Sequence, residues 1–316
     1  MGRDGGGCAP NYPFTVVTGG SAACLHGGMK LATLHLTASR TCAAIVREDG
    51  AYDPLPGFAD VGAWMAATPQ EHDAALAESA EVGAERRIAA ADVASGAFPL
   101  VQPVLRPAKV ICVGLNYRNH IEETGNKVPE YPTLFTKYAL SLTGPTADIE
   151  VPAEDHRMDW EGELTVVVGS GGRRLRGEEA AAAIGGYAIA NDISLRGYQG
   201  RTTQWSAGKA WEASTPVGPW VVTPDEFVPG ARIETLVNGE VVQSDSTGDL
   251  VFDAVALVEY LSDIITLEPG DLILTGTPGG VALGRKDENG RHPWLKPGDE
   301  LVTRIEGLGE QRNRIV

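Results

Sequence analysis

Beyond residue 109 the chain sets short apolar runs between Gly, Pro and Asp, at 110–115, 164–169, 187–190, 220–223 and 272–275. Runs of this length bounded by turn formers predict buried strands. Segments 232–237 and 240–243 flank Asn238-Gly239, the strongest hairpin signal in the sequence. Val255, Val258, Leu261 and Ile265 recur at helical spacing and predict one amphipathic helix with those four on its apolar face. Strand and helix do not alternate regularly, which argues against a doubly wound parallel sheet and for a mixed β domain with few helices.

Residues 29–105 read differently. Strands are expected at 30–36 and 42–47, with a turn at Asp49-Gly50. Helices are expected at 58–67 and 69–80, with Thr68 and Pro69 placed as N-cap and first helical residue. Pro99, Pro103 and Pro107 mark the boundary of this small α/β unit. Residues 1–28 are rich in Gly and small residues and lack a basic start with a continuous apolar run, so the expectation is either a natural start at Met29 or a disordered arm. The expected organisation is therefore an arm (1–28), a small N-terminal domain (29–105) and a catalytic domain (106–316).

Composition narrows the function. A formal net charge of −16 repels phosphate backbones, so nucleic acid is not an expected partner. No stretch reaches the ~20 apolar residues of a membrane span, and a cytoplasmic protein is expected. Cys8, Cys24, Cys42 and Cys112 form no Cys-x-x-Cys pair and read as reduced thiols.

The chemistry-bearing residues are few. In extended backbone, Glu161 and Glu163 face the same side at the mouth of an apolar strand. Two such carboxylates either form a solvated strand edge or share a cation. Asp192 ends a second apolar run, as a turn former or as a third oxygen ligand. Three carboxylates suit a hard divalent ion, Mg²⁺ or Mn²⁺. His120 and Glu123 share one face of a helical turn, as a surface pair or as a base with its orienting carboxylate. The polar, Pro-punctuated 124–132 stretch reads as a mobile lid. Lys209 lies among small and aromatic residues, where it could hold a carboxylate or enolate oxygen, and Thr277 lies in a Gly-rich turn fit either for an anion or for plain chain reversal.

Taken in order, these segments resemble the fumarylacetoacetate hydrolase family over about residues 108–306. The resemblance rests on Asn116-Tyr117 with His120 and Glu123, Phe135 with Lys137 and Gly144-Pro145, and Glu161-x-Glu163-Leu164. It continues through Asn191-Asp192-x-Ser194-x-Arg196, Gln204-Trp205 with Gly208-Lys209, and Gly276-Thr277-Pro278-x-Gly280-Val281. It implies an α+β, mainly β fold, a mixed β-sandwich roll that is usually dimeric. Glu161, Glu163 and Asp192 would hold Mg²⁺ (or Mn²⁺, with Ca²⁺ able to enter in crystals). His120 and Glu123 would form a base dyad on a lid. Lys209 and Thr277 would face an anionic 2-oxo acid, with Tyr117 and Arg118 as further substrate contacts. The implied reaction is hydrolysis of the C–C bond of an acylpyruvate through its enolate. Decarboxylation of an oxaloacetate-like acid, or isomerase or dehydratase chemistry on the same platform, is the alternative. The chain departs from the family pattern at two places: Ala210-Trp211-Glu212 replaces Ser-Phe-Asp after the lysine, and Gly197 replaces an Asp after the arginine.

Overall fold

The computed structural model describes residues 28–316 except Thr124 and Asn126. The arm expected at 1–28 therefore lies outside the described residues but for Gly28, and the expected lid lies partly outside them. The fold is mainly β. Its spine is an eleven-stranded sheet whose central run is Thr215–Val222, Ile184–Asn191, Gly162–Val168, Leu272–Leu274, Val110–Gly114 and Thr133–Lys137. Most pairs are antiparallel, but Leu272–Leu274 runs parallel to Val110–Gly114, so the sheet is mixed.

The segment before residue 105 joins this sheet. Lys30–Thr37 pairs with Thr215–Val222 and extends the edge through Arg40–Val46 and Tyr52–Pro54. Its helices form as Val61–Met65 and Pro69–Arg86. The second closes a capping box, in which Thr68 Oγ1 accepts the Glu71 N–H at 3.3 Å and the Glu71 carboxylate accepts the Thr68 N–H at 2.7 Å.

A four-stranded antiparallel sheet packs on the main one in the order Glu240–Ser246, Arg232–Val237, Glu300–Ile305, Gly309–Arg314. Asn238 and Gly239 both adopt positive φ, as the tight hairpin requires. Along Gly162–Val168 the side chains alternate between two cores. Leu164, Val166 and Val168 pack with Ile233, Ile305 and the helix Ala254–Ile264. Val167 packs on the other face with Leu31, Trp64 and Ala190. Ile265 is not on the helix's apolar face as expected. It is the extended cap after Ile264, and it is 45% exposed because the chain leaves the helix there. Among the described residues no helix is long and apolar enough to cross a membrane.

Candidate active site

The two-residue alternation puts Glu163 on the face shared with Thr165 and Val167, and Glu161 lies one alternation earlier. Ile184–Asn191 runs antiparallel to Gly162–Val168, with Asn191 opposite Gly162, so one strand ends where the other begins. Asp192 thus arrives beside the two glutamates, and its N–H donates to the Glu161 carbonyl at 2.7 Å. Oxygen atoms of Glu161, Glu163 and Asp192 lie within 4.8 Å of one another, and all three residues are buried.

Three cations meet this cluster. Lys209 Nζ bridges Glu161 Oε2 and Asp192 Oδ2, 2.6 Å from each. Lys137 Nζ donates to Asp192 Oδ1 at 2.6 Å and to the Ile193 carbonyl at 3.1 Å. Arg196 spans Glu161 at 2.6 Å and Asp159 at 2.8 Å. Burial alone would raise the Glu161 carboxyl, but Lys209 and Arg196, with a smaller contribution from His120, hold it down at about 2. Glu163 makes no salt bridge among the described residues and accepts the Gly276 N–H at 2.8 Å. Burial, then repulsion from Asp192 and Glu161, push its carboxyl well above the usual range.

These residues fit a divalent cation. Asp159, Glu161 and Asp192 are paired with Lys137, Arg196 and Lys209, whereas Glu163 has no cationic partner of its own among the described residues and lies against two carboxylates, a place where a cation would relieve the repulsion. All the donors are hard oxygens, which suits Mg²⁺, Mn²⁺ or Ca²⁺ rather than a softer ion.

The structure brings most of the expected site residues to this end of the sheet. Lys209 closes the short helix Ser206–Lys209, only 2% exposed, with Nζ 5.0 Å from the centre of the Phe135 ring. His120 and Glu123 share the helix Arg118–Glu123, with Nδ1 3.5 Å from Glu123 Oε2. Glu123 also accepts the Gly280 N–H at 3.0 Å, which ties the helix to the Gly-rich turn. Tyr117 is fully buried, and burial followed by the Glu163 charge drives its hydroxyl far above the usual phenol range. Arg118 is exposed. Thr277 is buried, and its hydroxyl donates to the Gly162 carbonyl at 2.9 Å, so it supports the glutamate strand from below.

Lys137 and Arg196 belong to the family pattern, but their spacing along the chain assigns neither of them a role. The available signal was a lysine closing the apolar-flanked strand Thr133–Lys137. At the departures, Trp211 Nε1 donates to the Ala207 carbonyl at 2.9 Å while Glu212 points to solvent. At Gly197 a Cβ would lie 2.5 Å from Asp155 Oδ2.

Sequence and fold comparisons agree with this geometry. Residues 109–316 match the family described as fumarylacetoacetate (FAA) hydrolase C-terminal. The chain is 42% identical over 217 residues, 68% of each chain, to a rat protein named oxaloacetate tautomerase Fahd2a, mitochondrial. It is 40% identical over 235 residues to the 2,4-didehydro-3-deoxy-L-rhamnonate hydrolase of Sphingomonas, covering 71% of this chain and 81% of that one. Among solved structures, a fumarylacetoacetate hydrolase from Exiguobacterium antarcticum superposes with a TM-score of 0.75 at 31% identity, covering 91% of this chain and 99% of that one. A 5-carboxymethyl-2-hydroxymuconate delta-isomerase from Mycobacterium smegmatis gives 0.71 at 32%, covering 91% and 98%. The chain belongs to the fumarylacetoacetate hydrolase family.

Proposed function

We propose that this chain is a divalent-metal-dependent enzyme that hydrolyses a C–C bond in an acylpyruvate-like, 2,4-dioxo acid. The observation that carries the reading is the convergence of Glu161, Glu163 and Asp192 in a buried cluster that Lys209 bridges, with His120 of the His120–Glu123 pair near enough for its charge to act on Glu161. A divalent ion held by the three carboxylates would act as a Lewis acid on the substrate's 2-oxo acid end.

The chain's own residues do the rest. Lys209 presents a positive charge to the oxygen on which the leaving enolate's charge develops. His120, oriented by Glu123, takes a proton from water so that its oxygen can attack the distal carbonyl, and gives it to the departing carbon. The Sphingomonas relative, named as a hydrolase and matched over the larger share of both chains, supports this reading. A second reading is favoured by the rat and bovine relatives, named oxaloacetate tautomerases. In it, His120 moves a proton between carbon and oxygen of a 2-oxo acid, and no water is consumed.

The two readings part in one experiment. Wild type and His120→Ala are assayed with Mg²⁺ on an acylpyruvate and on the enol form of oxaloacetate. Hydrolysis of the acylpyruvate by wild type only, at a rate ~10²–10⁴-fold above the variant, is expected. Turnover of the enol with no acylpyruvate cleavage would favour the tautomerase and overturn the first reading.

A further inference from the structure

Gln243 lies in the hairpin strand Glu240–Ser246, 1% exposed, and plays no part in the chemistry above. Its side-chain amide is fully engaged. Oε1 accepts the Gly162 N–H at 3.0 Å, and Nε2 donates to Thr277 Oγ1 and to the Pro278 carbonyl, both at 2.9 Å. Thr277 Oγ1 in turn donates to the Gly162 carbonyl at 2.9 Å. Gln243, Thr277 and Gly162 thus form a closed ring of hydrogen bonds.

The two peptide groups held by that ring are the ones joining Glu161 to Gly162 and Gly162 to Glu163. Their orientation sets the direction of both carboxylate side chains. The hairpin sheet reaches them because residue 162 has no side chain, since a Cβ there would lie 2.4 Å from Thr235 Oγ1. The Gly-rich turn that carries the Pro278 carbonyl also supplies the Gly280 N–H that holds Glu123.

We propose that Gln243 is a positioning residue. It locks the Glu161–Glu163 backbone so that both carboxylates meet one ion, and it ties that geometry to the turn that orients the His120–Glu123 helix. The proposal rests on the reading of Glu161, Glu163 and Asp192 as a divalent-metal site. Removing an outer partner of a metal ligand typically weakens metal affinity ~10–100-fold.

Gln243→Glu is the sharp probe. It keeps an acceptor for the Gly162 N–H but replaces the donor to Thr277 and Pro278 with a second acceptor. Mg²⁺ binding by calorimetry and Tm in EDTA are measured for wild type, Gln243→Glu and Val258→Ala, the last a core change in the helix Ala254–Ile264. Gln243→Glu is expected to raise the Mg²⁺ Kd ~10–100-fold and alter the EPR signal of bound Mn²⁺. Val258→Ala is expected to lower Tm with Kd unchanged. A wild-type Kd in folded Gln243→Glu overturns the proposal. If Gln243→Glu does not fold, Thr277→Ser and Thr277→Val replace it: Ser should keep the Kd and Val should weaken it, and equal Kd values for Val and wild type overturn the proposal. Equal Mg²⁺ binding by wild type and Glu163→Gln would instead overturn the metal reading itself.

Discussion

The acid cluster and the His120–Glu123 helix are near neighbours but are built by opposite means. Glu161, Glu163 and Asp192 rise from paired strands in the middle of an eleven-stranded sheet, and Asp192 is fully enclosed between Lys137 and Lys209. The helix has six residues, and contacts through Asn119 and Glu123 tie it to Gly279 and Gly280. Those contacts are exposed to water, where each contributes little. The contrast is one of anchoring: the three carboxylates are buried and over-determined, whereas the helix that carries His120 and Glu123 is tied to the Gly-rich turn by exposed contacts.

The largest test is to remove one side of the buried network. Asp192→Ala strands Lys137 and Lys209 without their shared partner, so urea unfolding in EDTA should show a loss of about 3–5 kcal/mol. A loss below ~1 kcal/mol would mean that the cluster is far wetter than its burial implies. Glu123→Ala gives the opposite profile: stability within ~0.5 kcal/mol of wild type, Mg²⁺ affinity unchanged, and kcat down at least ~10-fold because His120 loses its orienting carboxylate. A Tm drop matching that of Asp192→Ala would erase the distinction. The smallest effect needs no mutation. Amides of Gly162–Val168 should exchange with deuterium at close to the global unfolding rate, whereas those of Arg118–Glu123 should exchange through local opening, orders of magnitude faster. Uniform protection across both would show the helix to be as fixed as the sheet.

The sequence displayed the apolar sheet and the paired carboxylates Glu161 and Glu163 because both follow simple periodicities. Leu164, Val166 and Val168 alternate with Glu163, Thr165 and Val167, so the strand and its acidic mouth are legible together. The four-stranded sheet was only half legible. Its Asn-Gly hairpin was plain, but Gly309–Arg314 reads as Gly-Glu-Gln-Arg-Asn-Arg and carries no apolar signal. Gln311 and Asn313 are buried in this strand, and their amide nitrogens donate to main-chain carbonyls. Gln311 Nε2 bonds the Ile189 and Gly218 carbonyls at 2.9 and 3.1 Å, and Asn313 Nδ2 bonds the Ala147 carbonyl at 2.8 Å. Pattern reading scores such residues as surface. The same blindness hid Gln243, and it left Thr277 looking like a ligand contact when its hydroxyl is spent on the backbone beneath the glutamates. Charge partners such as Lys137 and Arg196 are set by tertiary approach, which spacing along one strand does not encode.

Gly197 carries a historical consequence. Asp155 places its carboxylate against the Gly197 Cα, where it accepts the Tyr198 and Arg157 N–H groups at 2.9 and 3.0 Å. A side chain at 197 would bring its Cβ to 2.5 Å from Asp155 Oδ2, so one of the two would have to give way. Positions 155 and 197 are therefore expected to change together across descendants, which an alignment read at both columns would check.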